Sequence, residues 1–149
     1  MRIVIQRVTI ASVMIEGQIK SAIEKGFLVL LGIETDDTSA DADYLIQKLI
    51  NLRVFSDTEG KMNLSLTDVN GDLLIVSQFT LHAATKKGNR PSYIKAARPE
   101  QAIPLYEYFL RKTKSQFSGK VLSGEFGADM KVALVNDGPV TILIDSKEI

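Results

Sequence analysis

Two short segments of this chain combine small polar residues with constrained backbone. Ser77-Gln78-Phe79-Thr80-Leu81 closes an apolar run, and Asn136-Asp137-Gly138-Pro139-Val140-Thr141 separates two others. Neither holds a Cys, a His or a paired acid, so the chemistry they suggest is selection by main-chain groups. Thr80 could act as a nucleophile, but a hydroxyl needs a base to activate it. His82, two residues on, would share a strand face with Thr80, yet no orienting carboxylate is legible. Read alone, these Ser and Thr residues are ordinary backbone partners at a strand end. Asp137-Gly138-Pro139 reads as a turn, at a bond where the cis isomer is accessible. A cis Gly138-Pro139 would aim two carbonyls one way and leave no room for a ligand side chain.

Charge is distributed unevenly. The stretch 81–98 carries Lys86, Lys87, Arg90, Lys95 and Arg98 without an acid, and Arg111, Lys112, Lys114 and Lys120 form a second such cluster. The plain reading is a solvated loop and helix face. The sharper one is contact with an RNA backbone, whose affinity would fall with salt.

Composition narrows the classes. The chain has 149 residues, a length that fits one domain over residues 1–149 and buries a core without staples. With no Cys and one His, thiolate chemistry is excluded and a His-built metal site is not expected. Net charge is zero, so overall charge points to no polyanion. No run reaches the roughly 18–20 apolar residues of a membrane span. No phosphate-binding or dinucleotide fingerprint is present. The alternating start Met1-Arg2-Ile3-Val4-Ile5 has no signal-peptide character, which gives the expectation of a cytoplasmic protein.

Periodicity supplies the elements that must position these residues. Arg2 to Ala11 reads as a strand, and Glu16-Gly17 as a hairpin turn between 12–15 and 18–23. Phe27 to Ile33 is a strand-length apolar run expected to be covered on both faces. Thr38-Ser39-Ala40-Asp41 starts a helix over about 39–52, with Ala42, Leu45, Ile46, Leu49 and Ile50 at helical spacing. Asn70-Gly71 signals a hairpin between 64–69 and 73–79. Residues 81–98 lack periodicity and read as a functional loop. Pro99 opens a second helix with Ala102, Leu105, Tyr106, Phe109, Leu110, Thr113 and Phe117 on one stripe, and Pro104 near its first turn. Three strands, 121–126, 130–135 and 140–144, close the chain. The order is one mixed α/β or α+β domain.

Five segments, in order, resemble one family: Arg7-Val8-Thr9-Ile10-Ala11-Ser12-Val13, Ser77 to Leu81, Lys87-Gly88-Asn89-Arg90-Pro91-Ser92-Tyr93, Phe126-Gly127-Ala128-Asp129-Met130, and Asn136 to Thr141. They look like D-aminoacyl-tRNA deacylase, over essentially the whole chain. Tyr93 stands where the family often has Phe, and Glu24 where it often has Gly. The resemblance implies a compact α/β fold, a mixed, mostly antiparallel sheet with a barrel-like core and two main helices. It implies a homodimer, tRNA as partner, and no cofactor, metal, DNA or membrane. The implied reaction is hydrolysis of the ester joining a D-amino acid, or mischarged glycine, to the tRNA 3′ ribose. It also implies chiral selection by Gly138 and Pro139, in cis, reaching into the neighbouring subunit's pocket. A related family with a trans Gly-Pro accepts L-alanine; the intact Ser-Gln-Phe-Thr-Leu points to the D-specific branch.

On that reading Ser77 and Gln78 hold the terminal adenosine and ester, with Phe126 and Met130 lining the pocket. Main-chain N–H groups at Phe79 and Thr80 polarise the ester carbonyl, and the RNA 2′-hydroxyl assists. Arg7 supports the Gly138-Pro139 carbonyls, and Lys86, Lys87 and Arg90 meet tRNA. The alternatives are a Thr80 nucleophile, a non-catalytic tRNA-binding module, and an esterase of small D-amino-acid esters.

Overall fold

A computed structural model describes residues 1–148. Its organising element is a long first strand, β1 (Arg2–Ile15), which has three neighbours. On one edge, its first half pairs antiparallel with β3 (Gly26–Gly32) and its second half with β2 (Gln18–Ile23). Along the other edge runs β8 (Lys131–Asp145), also antiparallel. Strand β3 then pairs in parallel with β6 (Asp72–Ser77), and β6 with β7 (Val121–Ser123). The Ser21 hydroxyl of β2 donates to the Ser123 carbonyl of β7 at 2.6 Å, so the sheet curls until its ends nearly meet. A small hairpin of β4 (Phe55–Ser56) and β5 (Met62–Leu64) stands apart.

The curl explains why β3 and β6 are apolar on both faces. Phe27, Val29, Leu31, Leu73 and Ile75 face one core, shared with the two helices. Leu28, Leu74 and Val76, on the alternate face, meet Val8, Val13 and Ile23 inside the curl, with Met130 and Val132 packed against them. The expectation of a strand covered on both sides holds.

Helix α1 (Ser39–Asn51) buries Ala42, Leu45, Ile46 and Leu49, while Ile50 is half-buried. Its start is closed by the Thr38 N–H donating to the Asp41 carboxylate at 2.8 Å, the acid anticipated in the first turn. Helix α2 (Pro99–Gln116) buries Ala102, Tyr106, Phe109 and Thr113. Pro104 lies one turn deeper than expected and the helix continues through it. The Glu16-Gly17 hairpin is present, with both residues at positive φ, 49° and 77°.

Two expectations give way. Asn70-Gly71 joins no hairpin. Strand β6 enters the sheet parallel to β3, with Asp72 opposite Gly26, so its partner cannot be the segment just before it. Residues 65–71 instead wind through turns that bury Leu66, and the Gly71 N–H returns to the Leu66 carbonyl at 2.9 Å. The last two of the three closing strands are one strand, β8, with a wide bulge in it. Gln6 faces Thr141 and Val8 faces Asn136, so residues 137–140 stand opposite Arg7 alone.

Candidate active site

Strand β6, between β3 and β7, ends at Ser77, and the chain then turns sharply. The Gln78 N–H donates to the Leu31 carbonyl at 2.8 Å, and Phe79–His82 form one turn of 3₁₀ helix. That turn lies directly on the end of β3. A Cβ at Gly32 would come within 2.9 Å of Leu81 Cβ and 3.0 Å of the Gln78 carbonyl oxygen, so only glycine lets it seat. Arg2 anchors it from the other side, donating to the Leu81 carbonyl at 2.6 Å while paired to Asp145 at 2.9 Å.

The turn exposes backbone donors. A 3₁₀ helix bonds i to i+3, which leaves its first N–H groups free. The bonds formed are Leu81 N–H to the Gln78 carbonyl and Ala83 N–H to the Thr80 carbonyl. Among the described residues, the N–H groups of Phe79 and Thr80 have no acceptor outside the turn. Beside Phe79 opens a cavity of about 310 Å³. It is lined by Ser77, Gln78, Phe79, Phe126 and Met130, together with Leu31, Ile33, Val76 and Val132. Five residues singled out from two distant segments therefore meet at one cavity. The apolar wall, made by Leu31 of β3, Ile33 just beyond it, Val76 of β6 and Val132 of β8, had no sequence signal beyond the apolar runs of those strands.

The cavity holds no legible base. Its one acid, Asp129, is exposed and paired with Lys131 at 3.1 Å. Thr80 is half-buried, does not line the cavity, and its hydroxyl accepts a hydrogen bond from the Gln78 side-chain amide. The expected Thr80–His82 face does not form, because a 3₁₀ turn, unlike a strand, rotates residues two apart away from each other. His82 instead is buried and packs at Gly32, with Nε2 unpartnered. Behind Phe126, Tyr106 lies 5.7 Å from its ring, and burial pushes the Tyr106 phenol up to about 12. Among the described residues no three His, Asp or Glu side chains gather to hold a metal.

The Gly138–Pro139 segment is elsewhere on the molecule. It forms the exposed tip of the β8 bulge, its peptide bond is cis, and it does not line the cavity. Gly138 has φ +136°, and a Cβ there would lie 2.8 Å from Val140 Cγ2 and 3.1 Å from Arg7 Nη2. Arg7, largely buried, donates to the Asp137 carbonyl at 2.9 Å and to the Val54 carbonyl at 2.5 Å. Its bond thus falls one residue before the Gly-Pro pair expected to receive it. The Val140 N–H donating to Asn136 Oδ1 at 2.8 Å completes the bulge.

Lys86, Lys87 and Arg90 are exposed on a loop closed by reciprocal bonds between Ala84 and Ser92, at 2.8 and 2.9 Å. None of them lines the cavity.

A family model described as D-Tyr-tRNA(Tyr) deacylase matches residues 4–145. A curated relative from Flavobacterium johnsoniae, called D-aminoacyl-tRNA deacylase, is 59% identical over 147 residues, covering 99% of this chain and 98% of its own. One of the same name from Thermosipho melanesiensis is 56% identical, covering 100% and 99%. A solved structure called c-Myc DNA Unwinding Element Binding Protein superposes with a TM-score of 0.93 at 43% identity, covering 97% of this chain and 98% of that one. Another, described as a probable eukaryotic D-amino acid tRNA deacylase, shares the fold at 18% identity, with a TM-score of 0.82 and coverage of 97% and 98%. The family and the deacylase relatives of more than half identity place the protein among the hydrolases. The chain belongs to the D-Tyr-tRNA(Tyr) deacylase family.

Proposed function

We propose that this protein hydrolyses the ester of D-aminoacyl-tRNA, and of glycine mischarged on tRNA, releasing free amino acid and tRNA as a chiral proofreading step in the cytoplasm. The observation that carries the reading is the pair of free N–H groups at Phe79 and Thr80, on a turn whose first residue, Phe79, lines a cavity without a side-chain base. Two fixed amide donors suit the oxyanion that develops when an ester carbonyl is attacked. The terminal adenosine occupies the cavity between Phe126 and Met130, with the ester at the turn. The RNA 2′-hydroxyl assists the attacking water, which supplies the proton acceptor the protein lacks.

Selection against L-amino acids falls to Gly138 and Pro139 of a second copy of the chain. Their exposure outside their own protomer's cavity supports this. So does the outer face of β1 and β8, where Ile10, Val135 and Leu143 are all at least half exposed. The alternative with Thr80 as nucleophile has less support, since its hydroxyl is engaged by an amide and faces no base.

The test is turnover of matched D- and L-aminoacyl-tRNA with metal chelated, in wild type and Thr80→Ala. Cleavage of the D form alone, kept within about tenfold in Thr80→Ala, supports the RNA-assisted route. Complete loss in that variant with tRNA binding intact makes Thr80 the nucleophile. Salt-sensitive binding without cleavage leaves a tRNA-binding module.

A further inference from the structure

A second cleft opens beside the cavity. It measures about 710 Å³, more than twice the cavity, and shares Phe79, Ala97, Phe126 and Gly127 with it. Its outer wall is Tyr93 and Ile94, and Arg98 is its one charged lining residue. Three of its side chains are apolar and exposed: Phe79 at 56%, Tyr93 at 39% and Ile94 at 87%. A single exposed Ile is unremarkable, but three large apolar groups around one concave site are not. The Tyr93 ring meets Phe79 edge-on, with centroids 5.0 Å apart.

This wall is held in place. The Thr35 N–H donates to the Lys95 carbonyl at 3.1 Å, and the Ala97 N–H to the Ile33 carbonyl at 2.9 Å. Segment 93–97 is thus tied to the chain leaving β3, the strand on whose end the site turn rests. A rigid platform of this kind, apolar with a cation at its rim, is suited to stacking a nucleobase while the cation meets a phosphate. The charge continues outward. Ser92, just before Tyr93, closes the loop bearing Lys86, Lys87 and Arg90.

We infer that this cleft binds the unpaired nucleotide preceding the terminal adenosine, its base against Tyr93 and Ile94 and its phosphate near Arg98. The inference rests on the proposed reaction, which puts the terminal adenosine in the adjoining cavity and obliges the RNA to leave by a neighbouring surface.

The experiment compares two minimal substrates, the D-tyrosyl ester of adenosine and that of the dinucleotide cytidylyl-(3′→5′)-adenosine. Wild type should cleave the dinucleotide ester with kcat/KM about tenfold higher, the effect of stacking one base. Ile94→Ser, at a side chain too exposed to affect folding, should remove most of that advantage through KM and leave the adenosine ester unchanged. Tyr93→Phe should keep the advantage and Tyr93→Ala lose it. Equal cleavage of the two esters by wild type overturns the subsite while leaving the proposed reaction standing. So does an Ile94→Ser effect that changes the ranking of different D-aminoacyl adenosines, which would give the cleft to the amino-acid side chain. Failure to cleave either ester or the charged tRNA removes the reaction itself, and the subsite with it.

Discussion

Gly138 bears more constraint than any other residue of the bulge. Its φ of +136° lies where L side chains rarely go, and its missing Cβ leaves space that Val140 and Arg7 border at 2.8 and 3.1 Å. Gly138→Ala should therefore cost about 1–3 kcal/mol of stability through backbone strain. A bulkier Gly138→Val should in addition abolish D-specific cleavage while leaving tRNA binding near wild type, since the basic loop is distant in sequence and not part of the bulge. Measuring the denaturant midpoint and single-turnover cleavage on the same variants separates the two effects. Cleavage at the wild-type rate by a folded Gly138→Val would remove the segment from the site. Part of this was legible in the sequence. A Gly before a Pro marks special backbone, but the identity of the carbonyls Arg7 meets depends on a register shift that no local pattern announces.

At the scale of elements, the site turn depends on where β8 ends. Asp145 is buried at that end, and Arg2 links it to the Leu81 carbonyl. Burial works against the ionised form of Asp145. The Lys147 N–H, the Arg2 hydrogen bond and charge, and the charge of the chain's α-amino group outweigh it, and the carboxyl sits below the usual range. A depressed carboxyl contributes stability that is present above its unfolded value, near 3.8, and is lost as pH falls through the lower folded value. Stability should thus decline on acidification below about pH 4, and Asp145→Asn should flatten that decline, as followed by urea midpoints from pH 6 to pH 2. An unchanged acid limb in the variant would deny Asp145 that role. The sequence places Arg2 in a strand and ends the last strand at 144, one residue short of Asp145. The joining of 130–135 and 140–144 into β8 was not legible, because a bulge of four residues looks like a loop when its partner strand is unseen.

For the molecule as a whole, the proposed RNA contacts and the proposed pairing of copies make separate predictions. Replacing Lys86, Lys87 and Arg90 by Ala should raise KM for charged tRNA with little change in kcat. It should also flatten the salt dependence of binding by about 0.7–0.9 log units per removed phosphate contact. An unaltered slope would mean the loop does not meet RNA. If Gly138 and Pro139 serve a neighbouring copy's cavity, two inactive variants should complement. Gly138→Val mixed with a cavity-blocking Met130→Arg and refolded together should regain about a quarter of wild-type activity, because half of the dimers are mixed and each has one intact site. No recovery from verified mixed dimers would put selection within one protomer.

What the sequence by itself determined is whatever local chemistry decides. The helical stripes, the Glu16-Gly17 turn, the doubly covered β3 and the two polar segments follow from side-chain spacing and backbone preference, and the five motifs carried the family. Tertiary structure alone decided how distant segments meet. It made β6 a parallel neighbour of β3 in place of half a hairpin, wound the chain after Ser77 into a 3₁₀ turn that separates Thr80 from His82, and held Gly138-Pro139 away from its own cavity. Strand order and register depend on long-range pairing, and a residue's own neighbours in sequence do not encode which strand lies beside it.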